Sequence, residues 1–147
     1  MTETTAIAAA GPESSGARIE LGHAPMDAIH REFYDCMDAL RGPGDRAQSL
    51  LALHEHLLRH FAQEEHWMRE TAFPACACHA REHEMALDVV AEVRRRHDAG
   101  DAGIADRLAE ELPQWFAVHA AAMDAGLAEY LRTGGGSSAA AHACAAT

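Results

Sequence analysis

Histidines and a carboxylate recur four residues apart near the middle of the sequence, a spacing that suits metal binding. His60 is followed by Glu64, and His79 is followed by His83. On an α-helix, residues four apart lie about 40° from each other, so each pair directs two donor groups toward one point. Imidazole nitrogens with a carboxylate that can bridge suit iron, zinc or manganese. Because the chain contains 11 histidines, the spacing alone is a moderate signal, and further ligands must be sought elsewhere.

The composition predicts a single helical domain. A chain of 147 residues and 15.8 kDa is long enough for one domain with a substantial core and too short for two. Hydrophobic residues make up 48% of it, many of them alanine, and only 5% are aromatic. This balance favours helices over a β-sandwich, so we expect an all-α protein.

The charge and the terminal sequence limit the partners and the location. A formal net charge of −11 argues against nucleic-acid binding, which needs a positive field. No apolar run approaches the roughly 20 residues of a membrane span, and the first residues make a poor secretion signal. A cytoplasmic protein with free thiols is therefore expected. The cysteines lack framework spacing, and a zinc knot on two of them lacks a second close pair: Cys36, Cys76, Cys78 and Cys144.

Four amphipathic segments predict the helices that must position the donors. The first begins near Pro25 and ends at 42–44, where two glycines flank a proline. The second opens at a capping box on Asp45, and the third follows a break at 71–74 and stops at Gly100. The fourth carries apolar residues from 104 to 131, with a kink expected at Pro113. The predicted inner stripe of the second helix is Ala47, Leu50, Leu51, Leu57, Leu58, Phe61 and Met68.

Short loops between four such helices predict an up-down-up-down bundle over residues 19–132. Residues 1–18 and 133–147 lack periodicity and are expected to be disordered tails. At about 1.5 Å per residue, every helix brings a histidine to a similar distance from its connecting loop. The fourth helix adds Asp124, five residues after His119 and so about 140° around an ideal helix. Asp124 must reach in from the flank, or the helix must be locally loosened.

Five imidazoles and two carboxylates exceed one tetrahedral zinc site and fit two metals with bridging carboxylates. The candidate ligands are His30, His60, Glu64, His79, His83, His119 and Asp124. The other six histidines are expected on the surface or in loops, with His56 the best rival because it lies four residues before His60. They are His23, His54, His56, His66, His97 and His142.

In their order along the chain, the motifs around these residues resemble those of the hemerythrins, most closely the single-domain bacterial kind. The resemblance covers about residues 20 to 132. Its motifs are Met26-Asp27-x-x-His30, His60-Phe61-x-x-Glu64-Glu65-x-x-Met68, Phe73-Pro74 followed by His79-x-x-x-His83, and Trp115-x-x-x-His119-x-x-x-x-Asp124.

The resemblance implies a non-haem di-iron centre with an oxo or hydroxo bridge. His79, His83 and His119 would bind one iron and His30 and His60 the other, with Glu64 and Asp124 bridging both. The iron with two histidines would keep an open position where dioxygen binds reversibly. Four residues match positions that line the dioxygen pocket: Phe61, Trp115, Phe116 and Ala120. Ala120 stands where the family usually has a bulky aliphatic residue, so we expect a more open pocket and faster autoxidation.

A carrier, store or buffer of dioxygen is therefore the leading prediction, and the protein is predicted not to be an enzyme. A di-iron enzyme that handles iron, peroxide or nitric oxide is an alternative. It is disfavoured because ferritin-like sites use paired Glu-x-x-His motifs, of which only Glu20-x-x-His23 occurs here. A sensor acting through a separate partner is a further alternative. A monomer is favoured over an oligomer, and an oxygen-consuming protein could be the recipient.

Overall fold

The computed structural model describes residues 18–134, all of whose regular structure is helical. Helix α1 spans Ala24–Arg41, α2 spans Arg46–Glu70 and α3 spans Cys76–Asp98. The fourth long helix has three consecutive parts: α4 at Ile104–His119, a π-helical turn at Ala120–Asp124, and α5 at Ala125–Thr133. The predicted all-α four-helix bundle is confirmed. The predicted tails lie outside the described residues, apart from Arg18, Thr133 and Gly134.

Local side-chain chemistry accounts for the beginnings of the first two helices. His23 caps α1, because its Nδ1 accepts a hydrogen bond from the backbone N–H of Met26 at 3.3 Å, and Pro25 occupies the first turn. Asp45 caps α2 by accepting a hydrogen bond from the backbone N–H of Gln48 at 3.2 Å. The predicted capping residue of the second helix is therefore in place.

Contacts at the two ends of the molecule show that consecutive helices run antiparallel. At one end, the ring of His23 packs edge-on against Trp67 near the end of α2, with ring centroids 5.1 Å apart. At the same end, Tyr130 of α5 donates a hydrogen bond to the carbonyl oxygen of Thr71 at 2.9 Å. At the other end, Arg41 donates to the carbonyl oxygen of Ala109 in α4 at 2.8 Å. The helices therefore form an up-down-up-down bundle.

The bundle interior consists of two apolar clusters with polar groups between them. The larger cluster is built around Phe33, Phe61 and Phe116, and the smaller one around Met26 and Met68. Along α1, His30 lies between Met26 and Phe33, and along α2, Glu64 lies between Phe61 and Met68. This placement surrounds the candidate ligands with apolar side chains above and below.

The prediction for the inner stripe of α2 is partly wrong. Leu53 and His56 are buried, whereas Ala47 is exposed and Leu58 is 49% exposed. A helix rich in leucine offers more than one apolar stripe, and only packing against its neighbours selects the face that is buried. His56 lies on the selected face, although it was expected on the surface because it is one helical turn away from the layer of the candidate ligands.

Two further expectations have outcomes in the described part of the chain. Cys36 and Cys76 carry free thiols, as expected, and Cys144 lies outside the described residues. No helix between residues 18 and 134 is both long and apolar enough to cross a membrane.

Candidate metal centre

The structure brings all seven candidate ligands together in the buried interior, with every long helix contributing at least one. None of their side chains is more than 3% exposed. Their donor atoms form two groups, in each of which all atoms lie within 4.8 Å of one another. We call the group around His30 and His60 the two-histidine site. The three-histidine site is built around His79, His83 and His119.

Glu64 joins the two sites, because each of its carboxylate oxygens faces a different one. Oε1 lies 2.9 Å from Nε2 of His60 and 3.4 Å from Nε2 of His30. Oε2 lies 3.1 Å from Nε2 of His83 and 3.3 Å from Nε2 of His79. Such a division of oxygens is the arrangement that a bridging carboxylate requires.

Asp124 divides its oxygens in the same way. Oδ2 lies 3.2 Å from Nε2 of His30 in the two-histidine site. Oδ1 lies 2.8 Å from Nε2 of His79 and 3.1 Å from Nε2 of His119 in the three-histidine site. Counting one oxygen of each carboxylate per site, the three-histidine site has five protein donors and the two-histidine site has four.

The π-helical turn explains how Asp124 and His119 can both point inward. The turn spans Ala120–Asp124, directly after His119. A π-turn closes its hydrogen bond five residues along the chain, so it accommodates one more residue than an α-turn and returns the fifth residue to the same face. Of the two routes considered for Asp124, local loosening of the helix is the one that the structure shows.

The polar atoms at the centre are short of hydrogen-bond partners. Nε2 of four of the five histidines has no hydrogen bond within the described part of the chain, nor does either oxygen of Asp124. Leaving such buried groups unpaired is costly, since each loses its hydration. Donor atoms bound at about 2.1 Å to one octahedral metal lie roughly 3 Å apart, which matches the observed separations. The donor set therefore fits two first-row transition-metal ions.

The charges point to the same conclusion. Burial alone would lower the pKa of His30 and of His79, but contacts with Asp124 and Glu64 outweigh it and raise both pKa values to about 9. Burial would likewise raise the pKa of each carboxyl group, but the surrounding imidazoles hold both well below their usual range. Two protonated imidazoles thus balance two carboxylates in the metal-free protein. Metal cations would take the place of those protons.

Aromatic rings pack against the candidate ligands at both sites. Phe61 stacks on His83 with ring centroids 4.0 Å apart, and Trp115 stacks on His119 at 4.7 Å. Phe116 meets His30 edge-on at 5.0 Å. Phe61, Phe116 and Ala120 are fully buried, whereas Trp115 is half-buried. The three rings therefore shield the imidazoles from water on these faces.

Sequence reasoning missed two residues that contact the ligands from outside. His56 is buried, contrary to its assignment to the surface, and its Nε2 lies 3.3 Å from Nδ1 of His60. Glu65 places Oε1 3.2 Å from Nδ1 of His83. A helical signal existed for His56, which lies one turn before His60, and Glu65 directly follows a candidate ligand.

Comparison with known proteins agrees with this geometry. The family model of the hemerythrin HHE cation binding domain matches residues 18–131. A bacteriohemerythrin of Ralstonia nicotianae is 40% identical over 108 residues, which are 72% of this chain and 79% of that protein. A bacteriohemerythrin of Stenotrophomonas maltophilia is 37% identical over 78 residues, covering 53% of this chain and 50% of that protein. No solved structure matches the chain.

Proposed function

Because the chain belongs to the hemerythrin family, we propose that it binds dioxygen reversibly at a non-haem di-iron centre and so carries, stores or buffers it. The observation that carries this proposal is the unequal number of protein donors at two adjoining buried sites, five against four. An octahedral metal needs six ligands, so the two-histidine site leaves more room for a small exogenous ligand.

Each group of residues has a distinct role in this proposal. His79, His83 and His119 would hold one iron and His30 and His60 the other, with Glu64 and Asp124 each offering one carboxylate oxygen to each site. When bound, iron would supply the electrons that reversible dioxygen binding requires. Phe61 and Phe116 exclude water from the two sites, together with Trp115 and Ala120. A dry environment limits the loss of bound ligand in an oxidised form.

Anaerobic reconstitution with ferrous iron tests this function. The metal-free chain should take up two iron equivalents, and exposure to air should produce a visible absorption band that disappears under argon and returns with air over several cycles. A chain carrying His30→Ala, which lacks a donor of the two-histidine site, should lose the reversible band. His66→Ala is the matched control, because His66 lies on the surface of the same bundle with its side chain 52% exposed.

Two results would contradict the proposal. Uptake of one iron equivalent would remove the paired centre. Irreversible oxidation in the first exposure, accompanied by consumption of peroxide or nitric oxide, would favour a di-iron enzyme. We further propose that the chain acts as a monomer and delivers dioxygen to a separate oxygen-consuming protein, which sedimentation and binding measurements with the reconstituted chain would test.

A further inference from the structure

His56 is a buried residue outside the donor set that contacts one of its members. Its side chain is 3% exposed, and its Nε2 lies 3.3 Å from Nδ1 of His60. On the opposite side of the ring, Nδ1 lies 3.5 Å from Oε2 of Glu32, a residue on the surface. The three residues share a surface cleft of about 170 Å³, whose other lining residues are Ile29, Arg59 and Gln63.

The positions of the nitrogens fix which atom of each ring carries a proton when a metal is bound. Nε2 of His60 faces Oε1 of Glu64 at 2.9 Å and must be free of a proton to bind a metal. The ring proton of His60 then lies on Nδ1, from which it is donated to Nε2 of His56. His56 in turn carries its proton on Nδ1, which faces Glu32.

The two sites differ in what supports their ligands from outside. In the three-histidine site, Nδ1 of His83 lies 3.2 Å from a carboxylate oxygen of Glu65. In the two-histidine site, the corresponding acceptor for His60 is a second imidazole. Among the described residues, Nδ1 of the remaining candidate ligands has no hydrogen-bond partner: His30, His79 and His119. An outer acceptor holds the ring of a ligand in the orientation and tautomer that bind metal.

We propose that His56 is a positioning residue for His60: by accepting the Nδ1–H of His60, it sets the tautomer and ring orientation with which His60 binds the metal of the two-histidine site. Occupancy of that site then depends on His56, whereas occupancy of the three-histidine site does not. This inference rests on the proposed function only in that both sites bind metal. It does not require dioxygen to bind.

Titration of the metal-free chain with cobalt(II) in the absence of oxygen tests the inference. The wild-type chain should bind two equivalents. His56→Leu fills a similar volume without an acceptor, so it should retain the first equivalent and bind the second about 10- to 100-fold more weakly. His56→Gln offers a side-chain oxygen as an acceptor and should recover most of the lost affinity. His66→Leu is the matched control on the exposed surface of α2 and should behave as the wild type.

Nitrogen-15 NMR of the zinc-loaded wild-type chain gives a second measurement that needs no substitution. It should place the ring proton of His60 on Nδ1, with a coupling across the hydrogen bond to Nε2 of His56. A proton on Nε2 of His60, or wild-type cobalt affinity at both sites in His56→Leu, would overturn the inference. Equal weakening of both sites with a lower melting temperature of the metal-free chain would also overturn it, since it would show a purely structural role.

The same titration separates this inference from the proposed function. If the wild-type chain bound only one cobalt equivalent, both would fail. If it bound two metals in the expected order but showed no reversible dioxygen binding with iron, the proposed function would fail and the role of His56 would stand.

Discussion

At the scale of single residues, protons occupy the place of metal ions in the metal-free protein. Burial alone would lower the pKa values of His30 and His79, but contact with Asp124 and Glu64 raises both from 6.5 to about 9. Both rings therefore hold a proton at neutral pH in the folded chain. A raised pKa contributes stability that is fully present below pH 6.5 and is lost as the pH rises through about 9. The lowered pKa values of Glu64 and Asp124 contribute stability that is lost in acid instead.

The metal-free chain should therefore lose stability between pH 6.5 and pH 9, while the metal-loaded chain should not. Metal ions replace the protons on His30 and His79, so the loaded centre has no such protons to lose in this range. Urea unfolding of both forms at the two pH values measures the difference. An equal loss of unfolding free energy in the two forms would show that groups outside the centre are responsible.

A second residue-scale prediction concerns Ala120. This alanine is fully buried in the same apolar cluster as Phe116, which packs against His30. Ala120→Leu should slow autoxidation of the iron-loaded chain several-fold, because a larger side chain excludes more water from the centre. The absorbance of the oxygenated form, followed over time in air, measures the rate.

Ala121→Leu provides the control for Ala120→Leu, since Ala121 is the exposed neighbour in the same π-helical turn. The control should leave the rate unchanged. Overpacking at Ala120 can cost about 1–3 kcal/mol, so the unfolding free energy of both variants should be measured alongside. No slowing in a folded Ala120→Leu variant would contradict the predicted open pocket.

Residue types and spacing were sufficient to find the seven groups that converge, because donors on helices must recur at helical intervals. They were insufficient for His56. Its burial follows from the rotation of α2 about its axis, which packing against α1 and α3 determines and local sequence does not. The rotation of α2 likewise explains why Leu58 is exposed although an apolar stripe of the sequence includes it.

At the scale of elements, the connection between α2 and α3 contains a residue in a conformation that its side chain disfavours. Ala72 has φ +52°, with its N–H bonded to the carbonyl oxygen of Arg69 and the N–H of Phe73 bonded to that of Met68. This is a Schellman motif, in which the left-handed position is usually glycine. Alanine there costs about 1 kcal/mol relative to glycine.

Ala72→Gly should therefore stabilise the protein by up to about 1 kcal/mol, even though glycine is more flexible in the unfolded chain. Urea unfolding of the metal-free chain measures the change. Ala91→Gly, at an exposed position within α3, is the matched substitution and should destabilise by roughly 1 kcal/mol. Opposite signs for the two variants would confirm that backbone conformation is the cause. Destabilisation by both would refute it.

The helix boundaries were predictable where a side chain defines them, as at Asp45. The π-helical turn was predictable only as one of two solutions for the five-residue interval between His119 and Asp124. The interval indicates only that the two side chains point to the same site. Asp124 can reach that site from the flank of a regular α-helix, or an extra residue in the turn can bring it to the same face as His119. The surrounding helices decide between the two, because they fix where each donor must lie.

At the scale of the whole molecule, the centre connects all four long helices. α1 contributes His30, α2 contributes His60 and Glu64, and α3 contributes two histidines. The last helix contributes His119, directly before the π-helical turn, and Asp124, the final residue of that turn. Amphipathic periodicity and short loops were enough to predict this bundle.

Removal of the metals should weaken the bundle as a unit. An ion that binds only the folded chain adds about 4 kcal/mol of stability when its free concentration is 1,000 times its dissociation constant. Extraction with a chelator should therefore lower the melting temperature by roughly 10 °C or more, and anaerobic addition of ferrous iron should restore it. Because donors from every helix are involved, calorimetry should show one cooperative transition in both forms. An unchanged melting temperature, or separate melting of α1 after extraction, would mean that apolar packing alone holds the helices together.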